Sequence, residues 1–260
     1  MIHSILADKS TRLYIFLGAF FVANALVAEM IGVKLFQLET ALGLPIADLS
    51  LLGQDHLSFV LSVGVLPWPI VFIMTDVVND YYGVRGVRFL TLITTGLIAF
   101  AFIVLYLAIH IPPAGFWLES SAAQGVPDMQ AAFASIFGQG MNIIVGSLAA
   151  FVIGQLVDAF VFRNIKRITG DRRIWLRATG STLVSQLIDS VVVTYMAFWI
   201  LKDWSFALCT ALVITAYAYK LVVALFSTPL VYVAHMLVEC YLGKERAQAM
   251  RAAALLPKAS

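Results

Sequence analysis

Residues 178–200 read ATGSTLVSQLIDSVVVTYMAFWI, and this stretch decides the fold. It carries one formal charge, at Asp189, and is bounded by Arg177 and Lys202. As a helix rising 1.5 Å per residue it crosses a hydrocarbon core of about 30 Å. Gln186 and Asp189 nevertheless lie inside it, and a charge near the bilayer centre costs roughly 2.5–3.5 kcal/mol on insertion scales. A stretch of this kind spans a membrane and faces a protein interior on its polar side.

Five further stretches have the same character, at about 13–34, 57–79, 87–110, 133–162 and 205–240. Hydrophobic residues make up 61% of the chain and charged residues 12%, with a mean hydropathy of +0.92, outside the range of soluble domains. The expected architecture is all-α, a single six-helix transmembrane domain over 1–260. That leaves no room for a soluble nucleotide-binding fold, and no G-x-x-x-x-G-K-S/T occurs. The first stretch is too long for a signal-peptide core and is read as a retained helix. Cys209 and Cys240 fall near opposite ends of one helix, roughly 45 Å apart, and cannot pair with each other.

Basic residues fix the orientation. Lys9, Arg12, Arg85, Arg88, the group from Arg163 to Arg177, Lys244, Arg246, Arg251 and Lys258 all fall on alternate loops and termini. By the positive-inside rule both termini, loop 2–3 and loop 4–5 are cytoplasmic. Loops 1–2 and 3–4 carry Glu39, Asp48, Asp55, Glu119 and Asp128 without arginine. The Arg163–Arg177 group is accordingly read as a topology anchor, and no nucleic-acid partner is expected. Trp117, Trp175, Trp199 and Trp204 mark helix ends, as interfacial tryptophans do. Trp68 does not, standing about twelve residues into the second stretch between Pro67 and Pro69.

Two prolines around one residue should break or kink that helix near mid-bilayer, leaving Trp68 and Phe72 as stacking surfaces. Asp76 lies about a turn deeper than Asn79 and Asp80, which read as a solvated cytoplasmic edge. The fourth stretch carries Gly138, Asn142, Gly146, Ala150, Gly154 and Asp158 at a spacing of four, a stripe that admits a neighbouring backbone. Gln-x-x-Asp occurs twice, as Gln155–Asp158 and Gln186–Asp189, on antiparallel neighbours. Asn24 lies about half-way across the first stretch, whereas Glu29 and Lys34 read as snorkelling outward. Lys220 lies near the centre of the sixth stretch and calls for a carboxylate partner, for which Asp76, Asp158 and Asp189 are candidates. The acids at depth outnumber this lysine, leaving carboxylates to hold protons or to bind a donor-rich ligand.

The runs PIVFIMTD ending at Asp76, GQLVDAFVF over 154–162, STLVSQLIDS over 181–190 and YKLVVAL from Tyr219, with Pro229, resemble the bacterial queuosine precursor transporters, earlier grouped as a vitamin uptake family. The resemblance runs through all six helices. It implies uptake of 7-cyano- or 7-aminomethyl-7-deazaguanine across the bacterial inner membrane for tRNA modification, and a distant relation to the substrate-binding subunits of ECF vitamin transporters. By position, Asn24, Asp76, Gln155, Asp158, Gln186, Asp189 and Lys220 match the family's intramembrane polar residues.

The chemistry fits a guanine-like edge, whose ring N–H and amine suit a carboxylate, with stacking on Trp68, Phe72 or Tyr217. The expected scheme has one aspartate of helices 4 and 5 reading that edge and another balancing Lys220 or a cationic arm. Two other classes compete. An ECF-type subunit would bind but need a separate ATP-driven partner. An intramembrane aspartyl protease would use Asp158 and Asp189, but bulky apolar residues follow each of them. No catalytic role, cofactor or metal is expected, since His3, His56, His110 and His235 are scattered. The expected partners are a small molecule and the bilayer, and a homo-oligomer remains open.

Overall fold

A computed structural model describes residues 7–142, 144–170, 174–200 and 203–255. Helix α1 (Lys9–Ile31) begins at Asp8, whose carboxylate accepts from the Thr11 amide at 2.9 Å and so satisfies one of the free donors of the first turn. The Ser10 and Thr11 hydroxyls also donate to Asp8 and hold its carboxyl well below the usual carboxylate range. Past α1 the chain forms β1 (Leu35–Gln37), a one-turn α2 (Leu38–Ala41), β2 (Leu49–Leu51), β3 (Gln54–Leu57) and β4 (Val60–Ser62). β1 pairs antiparallel with β4 and β2 with β3. Glu39 holds this outer loop, accepting from the Phe59 amide at 3.0 Å and the Ala47 amide at 3.3 Å. Those bonds, the one from Phe59 foremost, keep its carboxyl below the usual range.

Helix α3 (Trp68–His110) follows a 3-10 turn at Val63–Val65. It has two arms meeting at Gly83, where φ is 72° and ψ is −179°. The Tyr82 hydroxyl reaches the Ser10 carbonyl near the start of α1, and Gly64 abuts the Ala28 carbonyl near its end. Beyond Gly83, Tyr14 bonds the Gly86 carbonyl, and Ala25 packs with Ile98 and Phe102. The arms 68–82 and 84–110 therefore run along α1 in opposite directions, and the chain reverses at Gly83. Together they supply the second and third of six crossings. A glycine is required there, because that φ/ψ combination is closed to residues with a Cβ.

The next crossings are α6 (Ile144–Thr169), α7 (Ile174–Thr194, continued as a π-helical turn over Tyr195–Ile200) and α8 (Phe206–Leu242). Short α4 (Gly115–Leu118) and α5 (Met129–Gly138) precede them outside the main bundle. α6 packs against α3 and α7, and α7 against α8. The small-residue stripe serves this packing within the chain, since a Cβ at Gly146 would meet Met196 and one at Gly154 would meet Asp189 and Ser185. Amphipathic α9 (Lys244–Leu255) folds back under α3, with Arg246 pairing with Asp8. The described basic loops gather on this one face, as the positive-inside rule asks of a cytoplasmic side, and the long apolar helices make the chain a multi-pass membrane protein.

Two expected helices are shorter than their apolar runs. Of the expected break or kink in the stretch 57–79, the structure shows a break, with no helix on its outer side. Residues 60–67 are strand and 3-10 turn, and the helix starts at Trp68 with Pro67 at its N-cap and Pro69 in the first turn, where a missing N–H costs nothing. The stretch 133–162 likewise divides at the 3-10 turn Gln139–Asn142. Gly138 therefore leaves the main helix. A Cβ added there would meet only the tip of Ile109, at 4.0 Å.

Candidate functional site

A cavity of about 590 Å³ lies between α1, the first arm of α3, α6, α7 and α8. At its outer end it is bounded by Leu35, Ser58, Val60 and Ser62 of the loop that follows α1, and it reaches inward to Asp76. Its mouth owes its shape to the non-helical segment before Trp68. The Ser62 hydroxyl donates to the Gly32 carbonyl at 2.7 Å, and the Val63 amide to the Lys34 carbonyl at 2.8 Å. These bonds satisfy backbone groups that the break before the helix leaves without helical partners.

One wall is aromatic. Trp68 stacks on Phe72 with ring centroids 5.7 Å apart and meets Phe151 of α6 at 5.8 Å. The opposite wall is polar. On α7 and α8, Asp189 and Lys220 form an ion pair at 2.6 Å, with both side chains about one quarter exposed. The lysine thus takes Asp189 as its partner, out of the three acids open to it by sequence. Gln186 lies one turn from Asp189 on the same lining face. On α3 and α6, the Thr75 hydroxyl donates to Gln155 Oε1 at 2.9 Å, while Asp76, 2% exposed, keeps one carboxylate oxygen without a hydrogen-bond partner.

Trp68, Phe72, Asp76, Gln155, Gln186, Asp189 and Lys220 therefore line one cavity. Three of the residues singled out by sequence do not. The Asn24 amide donates to the Phe20 carbonyl of its own helix at 2.8 Å, because the α1 face turned to the cavity is that of Ala28, Glu29 and Gly32. Asp158 is buried behind the lining, accepting from the Ser185 hydroxyl at 3.2 Å. Tyr217 also misses the cavity, its hydroxyl donating to the Leu183 carbonyl at 3.2 Å. Tyr219 lines it instead.

Two acids set at the margin by the sequence reading turn inward. Glu29 turns inward and accepts from the Ser147 hydroxyl, which lies 2.8 and 2.9 Å from its two oxygens. The signal was present, since Glu29 is one residue from Ala28 on the small-residue face of α1. Asp80, read as solvated, is fully buried. It contacts Lys166 at 2.7 Å, Arg177 at 2.9 Å and Arg251 at 3.1 Å, with His235 at 3.6 Å. Arg251 also reaches Glu239 at 2.7 Å and the Tyr81 hydroxyl at 2.6 Å. This cluster lies one turn to the cytoplasmic side of Asp76 and draws on α3, α6, α7, α8 and α9. Among the described residues no cluster of His, Cys, Asp and Glu has the make-up of a metal site.

Residues 62–234 match the family model described as "Putative vitamin uptake transporter". A Bacillus subtilis protein described as a probable queuosine precursor transporter is 32% identical over 184 residues, covering 68% of this chain and 72% of the relative. A queuosine precursor transporter of Escherichia coli is 27% identical over 146 residues, or 55% of this chain and 58% of that protein. A probable queuosine precursor transporter of Haemophilus influenzae is 25% identical over 150 residues, 56% of either chain. No solved structure matches the chain.

Proposed function

The chain belongs to this uptake-transporter family, and on that premise we propose that it imports queuosine precursors, the 7-cyano- and 7-aminomethyl-7-deazaguanines, across the bacterial inner membrane. The observation that carries the reading is the pairing, in one cavity, of an aromatic wall with a buried carboxylate that has an oxygen to spare. A flat bicyclic base gains dispersion and buried area against Trp68 and Phe72. Its ring N–H and exocyclic amine are donors that Asp76 can accept side by side. The Gln155 and Gln186 amides can then complement the base carbonyl. This amends the scheme read from sequence, because Asp189 is engaged by Lys220 and Asp158 stands behind Asp76. Asp76, on α3, becomes the edge-reading carboxylate.

The deciding experiment is uptake of labelled 7-deazaguanines by cells unable to synthesise them, with and without this chain. Uptake that depends on the chain is expected, and equal uptake in both strains refutes the reading. Asp76→Asn should lower uptake at least tenfold, about the effect of a charge-assisted hydrogen bond lost in a buried site. Accumulation in liposomes holding the purified protein and no ATPase is the outcome expected of a self-sufficient carrier. High-affinity binding without accumulation would instead assign the chain to the subunit class that needs an ATP-driven partner.

A further inference from the structure

We infer that Glu29 selects a protonated amine on the substrate, so that this chain prefers the cationic aminomethyl base to its neutral cyano counterpart. The inference rests on the substrate class proposed above and adds a specificity residue to it. Among the described residues lining the cavity the acids are Glu29, Asp76 and Asp189, and Lys220 is the one lysine or arginine. Lys220 is held by Asp189 at 2.6 Å. Glu29 and Asp76 therefore face the cavity with no lysine or arginine of its lining to balance them. A ligand bringing positive charge supplies what the lining lacks.

Geometry divides the two acids between the two ends of such a ligand. Glu29 is fixed at the level of Ser147 and Asp76 near that of Gln155, which bonds the neighbouring Thr75. Both markers lie on α6, eight residues apart, which is about 12 Å along a helix. That span suits a bicyclic base with a one-carbon arm and a hydrogen bond at each end. Ser147 occupies one of the four or so lone-pair positions of the Glu29 carboxylate, orienting it and leaving others for an ammonium. A nitrile has only an acceptor at its tip. Placed against Glu29 it sets acceptor against acceptor, so the same residue attracts one precursor and disfavours the other.

The test measures binding of 7-aminomethyl- and 7-cyano-7-deazaguanine to the purified full chain at neutral pH. The wild type should bind the aminomethyl base about tenfold or more tightly than the cyano base. Equal affinities, or a preference for the nitrile, overturn the inference while leaving the proposed function standing. Binding of neither base refutes the proposed function itself. Glu29→Gln, nearly isosteric, should reduce the affinity ratio by about tenfold. An unchanged ratio, or an equal loss for both ligands, makes Glu29 structural and overturns the inference. If that variant does not fold, Glu29→Asp, which keeps the charge on a shorter arm, should lower the ratio while leaving cyano-base affinity unchanged, and an unchanged ratio there likewise overturns the inference.

Discussion

Lys220 shows what one side chain demands of another at depth. Its ammonium is held by Asp189 at 2.6 Å in a cavity wall that is part-exposed, so removing one partner strands the other. Asp189→Asn should lower stability by about 1–3 kcal/mol and abolish uptake. The double variant Asp189→Asn with Lys220→Gln should regain most of the stability but none of the uptake, as measured by thermal unfolding in detergent beside transport. Glu39 makes a prediction about pH. Its folded carboxyl titrates below its ordinary value of 4.5 because backbone amides donate to it. Its contribution is thus complete above that ordinary value and is lost as pH falls through the lower, folded one. Hydrogen exchange at the Phe59 and Ala47 amides should accelerate in acid, and Glu39→Gln should remove most of that dependence. The acids at depth were legible in the sequence by count and position. Their partners were not, because a depth count does not say how far each helix is rotated about its axis. Rotation alone turns Glu29 into the cavity and Asn24 away from it.

At the scale of elements, the break at the Pro67-Trp68-Pro69 triplet was visible, and the extended chain on its outer side was not. Residues 57–67 are as apolar as a helix, and hydropathy does not distinguish a helical turn from an extended one. The strand β4 is specified instead by pairing with β1, a partner more than twenty residues away. Gly83 is the opposite case, an ordinary-looking glycine that carries the reversal between two crossings. Gly83→Ala should cost about 1–3 kcal/mol in backbone strain, and its added Cβ would come within 3.0 Å of the Ala254 carbonyl. The expected outcome is a lower unfolding temperature, with a larger loss than for Gly96→Ala, where a Cβ meets nothing within 4 Å.

Across the whole molecule, the crossings among the described residues were readable, because membrane thickness is a one-dimensional constraint. The closure of the cytoplasmic side was not. It depends on α9 folding back to deliver Arg251 to Asp80, a contact between the end of the chain and its second crossing. Asp80→Asn leaves Lys166, Arg177 and Arg251 buried around an amide, and should destabilise the protein by about 3–5 kcal/mol. Arg251→Gln should instead loosen α9 selectively, seen as faster hydrogen exchange over 244–255 with the crossings still protected. The late start of α3 has a consequence beyond the protein. Its first arm, residues 68–82, rises only about 22 Å, well short of a hydrocarbon core of about 30 Å. Leu66, 67% exposed, marks where the helix gives out on the lipid side. Lipid beside this arm must thin or tilt to meet it. Acyl-chain length therefore becomes a control on transport, with reconstituted uptake highest in thin bilayers and falling as the chains lengthen.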